Sequence, residues 1–257
     1  MSYLSDLLDA TKRRLEDSQT KVTEAALEER LASVEAPRGF ASALKSAERP
    51  AVIAEIKRRS PSKGALDEDL DAGALAMAYA AGGASAISVL TEPEGFGGSF
   101  EDLHLAKKAG LPVLRKDFII DPFQVLESRA EGADAVLLIV RVIGELLPQL
   151  LSGVTALGMD ALVEIYDEAD LQRALDAGAE VIGINHRDLE TFEVDPERTA
   201  KLRPQIPDEK LVIGLSGVSA RDDVAALAAA GADAVLVGES LVTAEDPAAK
   251  LRELLDR

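Results

Sequence analysis

Four times the chain repeats one short pattern: Gly83-Ala84-Ser85-Ala86-Ile87-Ser88-Val89-Leu90, Gly132-Ala133-Asp134-Ala135-Val136-Leu137-Leu138-Ile139, Gly178-Ala179-Glu180-Val181-Ile182-Gly183-Ile184-Asn185 and Gly231-Ala232-Asp233-Ala234-Val235-Leu236-Val237-Gly238. Each copy follows an Ala/Leu-rich stretch of helical periodicity, so each reads as a helix that stops at glycine, a short turn and a buried strand. Four more apolar runs lie between them: Val52–Ile56, Pro112–Lys116, Ala161–Ile165 and Leu211–Leu215. Together they predict eight strands, each separated from the next by a helix. Strands that are apolar on both faces and alternate with helices belong in a parallel sheet. Eight such units in about 200 residues match the size of a closed (βα)8 barrel. The alternative is an open doubly wound sheet, but no G-x-G-x-x-G follows the first strand.

Residues 1–50 have another character. Leu4, Leu7, Leu8 and Leu15 form one apolar stripe, and Ala25, Ala26, Leu27 and Leu31 suggest a second helix. Pro37-Arg38-Gly39-Phe40 marks the end of this helical part. The expected fold class is therefore α/β, a (βα)8 TIM barrel over 51–257 with a helical N-terminal extension over 1–50. The extension is too short for a substantial core of its own. The whole of 1–257 is expected to form a single domain, with Pro247–Arg257 as the last barrel helix.

Composition limits the chemistry. There is no cysteine, which removes disulfides, thiolate nucleophiles and cysteine-based metal sites together. Only two histidines occur, His104 and His186, read here as a surface-helix residue and a loop bystander. A histidine-rich zinc site is excluded by arithmetic, and acid–base work falls mainly on carboxylates and lysines. With 28 Lys+Arg against 46 Asp+Glu, the formal net charge is −18. Such a chain repels nucleic acid and anionic membranes. No apolar run reaches the roughly 18 residues of a membrane span, and Met1–Asp6 lacks the basic-then-apolar order of a signal peptide. The expected location is cytoplasmic.

In barrels of this type catalytic groups sit at the C-terminal ends of the strands. The polar residues collect there. The first strand ends in Glu55, Lys57, Arg58, Ser60 and Ser62; residues two apart share a strand face, so Glu55 and Lys57 lie side by side. The second strand offers Ser88 and Thr91-Glu92-Pro93, the third Arg115-Lys116-Asp117-Phe118, the fifth Glu164 and the sixth Asn185-His186-Arg187-Asp188. The fourth ends apolar, in Leu137–Val140. An uncompensated charge inside a barrel is costly, so these groups must compensate one another or do chemistry. Ser216-Gly217 and Gly238-Glu239-Ser240 follow strands seven and eight, where such barrels often bind phosphate through backbone N–H groups.

Ile53-Ala54-Glu55-Ile56-Lys57-Arg58-Arg59-Ser60-Pro61-Ser62 resembles the first-strand signature of the indole-3-glycerol phosphate synthase family. Pro112-Val113-Leu114-Arg115-Lys116-Asp117-Phe118 resembles its third-strand motif. Ala161-Leu162-Val163-Glu164 and Ile182-Gly183-Ile184-Asn185-His186-Arg187-Asp188-Leu189 look like its fifth and sixth. The match runs in order from about residue 50 to the C-terminus.

The resemblance implies a lyase of tryptophan biosynthesis. It would convert 1-(2-carboxyphenylamino)-1-deoxyribulose 5-phosphate to indole-3-glycerol phosphate, carbon dioxide and water, without a metal or organic cofactor. It implies Lys116 as the acid at the carbonyl oxygen, and Lys57 with Glu55 or Glu164 for the dehydration, the choice of carboxylate open. Asn185 would bind sugar hydroxyls or orient a carboxylate, supported by Arg187. Ser60 would bind near the substrate carboxylate. Pro61, Phe96, Phe118 and Leu137 would form the pocket for the aromatic ring. Ser216, Gly217, Gly238 and Glu239 would hold the phosphate. The loop Arg58–Gly64 would be mobile, with Lys63 solvated.

One departure stands out. The family usually carries Ala-Glu-Ser-Gly at strand seven, where this chain has Gly214-Leu215-Ser216-Gly217. Leu215 is expected to face the substrate pocket and to leave Lys57 short of one acidic partner. The alternatives are therefore another phosphosugar-binding TIM-barrel enzyme, or an impaired or non-catalytic copy. The partner expected is a small phosphorylated molecule, and the assembly a monomer or weak homodimer.

Overall fold

The computed structural model describes residues 3–48, 50–60, 63–188 and 191–256. Eight parallel strands close into a barrel in which every strand pairs with its neighbours in sequence and the first pairs with the last. They are β1 (Ala51–Ile56), β2 (Ala86–Leu90), β3 (Val113–Lys116), β4 (Ala135–Ile139), β5 (Asp160–Ile165), β6 (Val181–Asn185), β7 (Leu211–Leu215) and β8 (Ala234–Val237). The open doubly wound alternative is excluded by this closure.

The glycines of the fourfold repeat do what the pattern requires. Gly83, Gly132, Gly178 and Gly231 all have φ between 81° and 95°, the left-handed conformation that ends a helix and that a side chain resists. Two residues on, the repeat places Asp134 and Asp233 at the base of the barrel. The Asp134 carboxylate accepts from the Val113 N–H (2.7 Å), and Asp233 accepts from the Val212 N–H (2.8 Å). Each thus satisfies a backbone donor at the start of the preceding strand, Val113 being the first residue of β3 and Val212 the second of β7.

Alternation along the strands separates two cores. Val52, Ala54, Val89, Val113, Val136, Leu138 and Val163 face outward and pack under the surrounding helices. Ala51, Ile53, Ala86, Leu114, Ala135, Leu137, Leu162, Ile213, Leu215 and Leu236 fill the interior. This parity decides the site. Glu55, Lys116, Glu164 and Asn185 have the same parity as the interior residues on their own strands, so all four point inward. Arg115 has the other parity and is buried outside the sheet, over the Phe100 ring and bonded to Glu127, Ser128 and Asp117.

The N-terminal extension is longer in helix than its sequence suggests, and it does more than flank the barrel. Helix Tyr3–Lys21 lies at the C-terminal mouth: Tyr3 meets Phe192 edge-on (5.8 Å between centroids), and Arg14 reaches Asp117 (3.4 Å), Glu94 (3.3 Å) and Glu92 (3.8 Å). Helix Glu24–Leu31 packs through Leu27 on Phe123 and Ala130 of helix Pro122–Ala130. Pro37–Phe40 does not end the extension, because Phe40 opens a third helix, Phe40–Ser46. That helix caps the opposite end. The Ala41 N–H donates to Asp160, the first residue of β5, and Phe40 and Leu44 are buried in the interior cluster above the small residues Ala51, Ala86 and Ala135.

Phe40 is therefore a plug for the barrel floor. Phe40→Ala should lower stability by about 3–5 kcal/mol, read from the denaturant midpoint. A loss under about 1 kcal/mol would mean that the floor is sealed by other groups.

Candidate active site

The centre of the mouth is a carboxylate shared by two ammonium groups. Glu55, on β1, is buried; its Oε1 accepts from Lys57 Nζ (2.8 Å) and its Oε2 from Lys116 Nζ of β3 (2.7 Å). Burial alone would raise the Glu55 pKa, but the charges of Lys116 and Lys57 outweigh it and hold the carboxyl down to about 2. Burial would also depress the Lys116 ammonium, yet Glu55 and Glu164 together raise its pKa. Lys57 therefore has its acidic partner in Glu55.

Glu164, on β5, behaves differently. Burial raises its pKa above the ordinary carboxylate value, and Lys116 and a hydrogen bond from Asn185 offset this only in part. Asn185 Nδ2 donates to Glu164 Oε1 (2.9 Å), while Asn185 Oδ1 accepts from the Ser216 hydroxyl (2.9 Å) and the Arg187 N–H (3.0 Å). Every hydrogen-bonding atom of that amide except one N–H is engaged, which fixes its orientation. Asn185 thus orients a carboxylate, one of the two roles expected for it.

Two cavities open on these groups. The first is small and mainly apolar, lined by Leu90, Phe96, Phe118, Leu137 and Ile139, with Glu92, Lys116, Asp117, Glu164 and Asn185 at its polar edge. The second is a polar cleft of about 460 Å³ between Lys57, Lys63, Arg187, Ser216–Ser219 and Gly238–Ser240. Among the described residues, Lys116 alone lines both.

Most of the residues singled out from the sequence come together here: Glu55, Lys57, Lys116, Glu164, Asn185, Phe96, Phe118, Leu137, Arg187, Ser216, Gly217, Gly238 and Glu239. Two do not. Ser60 is buried with its hydroxyl accepting from the Lys63 N–H (3.2 Å), and it lines neither cavity. Leu215 is sealed in the barrel interior beneath the mouth; a Cβ on Gly183 would come within 2.8 Å of it. It is not a wall of the pocket, because its aliphatic chain fills the space that Gly183 leaves bare. Pro61 lies outside the described residues.

Other expectations need correction. Part of the loop after β1 is tied down: Arg59–Ser60 pairs with Gly64–Ala65, and the Arg58 guanidinium binds Asp102. Lys63 is exposed, as expected, and its Nζ lies 3.6 Å from Glu239 across the cleft. His186 is no loop bystander but is buried and bonded at both ring nitrogens. His104 does lie on the surface of its helix, beside Glu131. Gly238 also leaves room for Glu55, because a Cβ there would meet Glu55 Oε1 at 2.5 Å.

Sequence reasoning named Glu92 at a strand end but gave it no role. Its buried carboxylate accepts the N–H groups of Glu94, Gly95 and Phe96, which caps the turn that carries Phe96. Burial and Glu94 push its pKa up to about 7, against the Gly95 N–H and the Arg14 charge. The Glu92-Pro93 pair, an N-cap before a proline, was the signal. Leu90 and Ile139 carried no such signal, being apolar residues at the ends of apolar strands. Among the described residues no three His, Asp or Glu side chains cluster as a metal site needs. No described helix is long and apolar enough to cross a membrane.

The family model for indole-3-glycerol phosphate synthase matches residues 4–254. An indole-3-glycerol phosphate synthase of Parafrankia sp. (strain EAN1pec) is 50% identical over 249 residues, which is 96% of this chain and 92% of that protein. Indole-3-glycerol phosphate synthase 2 of Streptomyces coelicolor is 51% identical over 235 residues, 91% of each. Among solved structures, the thiamine phosphate pyrophosphorylase of Pyrococcus furiosus superposes with a TM-score of 0.60 over 80% of this chain and 94% of that one. At 17% identity that likeness concerns the barrel alone. With a family match over nearly its whole length and relatives at half identity, the chain belongs to the indole-3-glycerol phosphate synthase family.

Proposed function

We infer that this chain closes the indole ring: it takes 1-(2-carboxyphenylamino)-1-deoxyribulose 5-phosphate to indole-3-glycerol phosphate, carbon dioxide and water. One observation carries the reading. An apolar cavity and a polar, lysine-rich cleft meet at a single ammonium, Lys116. The substrate has the matching order: an aromatic ring, a ketone in the middle and a phosphate at the far end.

The ring lies among Leu90, Phe96, Phe118, Leu137 and Ile139, and the phosphate by Ser216, Gly217 and the turn at Gly238–Ser240, near Lys63 and Arg187. Lys116 then faces the carbonyl between them. It donates its proton to the carbonyl oxygen as the ring carbon bearing the carboxylate attacks. Loss of carbon dioxide restores the aromatic ring. Dehydration follows, in which an acid protonates the departing hydroxyl and a base removes a proton from the adjoining carbon.

The opposed environments of the two carboxylates support a division of these roles. Glu55 is held ionised by two lysines and serves as their anchor. Glu164 has the raised pKa, points at the same centre and is aimed by Asn185, so it is the base. Lys57 is the acid of the dehydration. Glu55 supplies Lys57 with the counter-charge that Leu215 cannot, so the impaired-copy reading has no support in the charge balance of the mouth. We propose a single domain over 1–257 that acts in the cytoplasm on this one small phosphorylated substrate.

Lys116→Ala should lower turnover by about a thousandfold or more, with a much smaller change in KM, measured by the fluorescence of the indole product. Comparable activity would remove Lys116 as the acid.

The pH profile follows from the same groups. Activity is lost as pH falls through the raised pKa of Glu164, whose carboxylate form is required. It is lost again as pH rises through the raised pKa of Lys116, whose ammonium form is required. Glu55→Gln removes the largest influence raising Lys116, so burial dominates and the alkaline limb moves to lower pH. An alkaline limb that stays in place contradicts the assignment.

Leu215→Glu should leave turnover within about threefold, since Lys57 already has a counter-charge, and should lower the melting temperature because a carboxylate enters an apolar interior. A large gain in turnover would show that strand seven lacks a working residue.

A further inference from the structure

The segment Ser216-Gly217 is a thin wall. It lines the cleft in the mouth, and on its other side it lines a separate cavity of about 230 Å³ bounded by His186, Val194, Leu227 and their neighbours. Both residues have left-handed backbone, Ser216 at φ 66° and Gly217 at φ 81°. For serine that conformation is strained and persists only where surrounding bonds impose it. With open space on both faces, packing does little to impose it here.

The Ser216 hydroxyl is held on the mouth side, donating to Asn185 Oδ1 (2.9 Å), and the carbonyl immediately before it is held by His186. Its backbone N–H donates to the Leu215 carbonyl (3.0 Å), and its ring Nδ1 lies 2.8 Å from the same oxygen. A carbonyl only accepts, so Nδ1 carries the hydrogen. Nε2 is then the acceptor, and the Thr199 hydroxyl donates to it at 2.8 Å. Thr199 belongs to the short helix Arg198–Leu202 on the outer side of the barrel. The ring is thus a rigid strut from that helix to the carbonyl immediately before Ser216.

We propose that His186 is a positioning residue for phosphate binding, holding the Leu215–Ser216 peptide so that Ser216-Gly217 keeps its turn toward the mouth. This rests on the reading that the substrate phosphate binds at that turn. His186 touches no substrate and takes no part in the acid–base steps; it acts through the Leu215 carbonyl.

The test compares His186→Leu with His186→Asn. Leucine removes both ring bonds. Asparagine keeps an N–H at the position of Nδ1, within reach of the Leu215 carbonyl, but cannot reach Thr199. His186→Leu should raise KM about tenfold and weaken competitive inhibition by inorganic phosphate by the same factor, with kcat within about twofold, the size expected for one buried hydrogen bond. His186→Asn should bring both KM and phosphate inhibition back to within about threefold of the native enzyme. Unchanged KM and phosphate inhibition in a folded His186→Leu enzyme overturn the proposal, and so does a loss confined to kcat. If His186→Leu does not fold, Thr199→Val serves: it frees the outer end of the strut and should weaken phosphate inhibition about threefold, and no change there overturns the proposal equally. A native enzyme that makes the indole product without competition by phosphate overturns instead the placement of phosphate at this turn, and the role of His186 with it.

Discussion

Closing eight parallel strands into a ring leaves a mouth only a few side chains wide, and every strand delivers its last inward residue into it. Charges gathered there are taken from water and must neutralise one another. Glu55 meets this requirement by binding Lys57 and Lys116 at once, through its two oxygens. The neighbouring strand yields room for it, with Gly238 bare where a Cβ would strike the carboxylate. The rest of the site is arranged around that ion triad. Lys116 is held between the apolar and polar cavities, and Glu164 and Asn185 face it from the far side.

A second consequence is the divergence of two carboxylates within one mouth. Both are buried, and burial raises the pKa of each. Glu55 has two cations in contact and stays ionised, whereas Glu164 has an amide in contact and the Lys116 charge farther off, so burial prevails. The difference between a carboxyl group held ionised and one whose pKa is raised therefore lies in the partners and not in the residue type. The same logic covers the absent acid at position 215. What matters is that Lys57 has a counter-charge, and the chain supplies it from its own strand.

The N-terminal helices join the two ends of the barrel. Arg14 bonds Asp117, the residue after Lys116, and approaches Glu92, which caps the turn bearing Phe96. Both walls of the apolar cavity are thereby tied to the extension. At the other end Phe40 and Leu44 close the floor. The apolar side chains of the extension pack against the barrel instead, in its interior cluster and on helix Pro122–Ala130.

Much of this was legible in the amino-acid order. The fourfold Gly-Ala repeat defined helix ends and strand starts, because left-handed turns select glycine and strands buried on both faces are apolar throughout. Period-two alternation put Glu55 and Lys57 side by side, and position at the strand ends brought Lys116, Glu164 and Asn185 to the same mouth, as the family motifs also imply. Three things were decided only by the tertiary structure. Which charges touch depends on strand register, and register put Lys116 and Lys57 on a single carboxylate. Where Leu215 and Ser60 end up depends on space left by residues distant in sequence, such as Gly183. The burial of His186 depends on a helix, Arg198–Leu202, whose Thr199 lies thirteen residues away in sequence and meets the ring only in the folded chain. Local sequence determines which conformation each residue prefers and which face it takes. Proximity between strands, and with it the pKa of each group, exists only once the ring is closed.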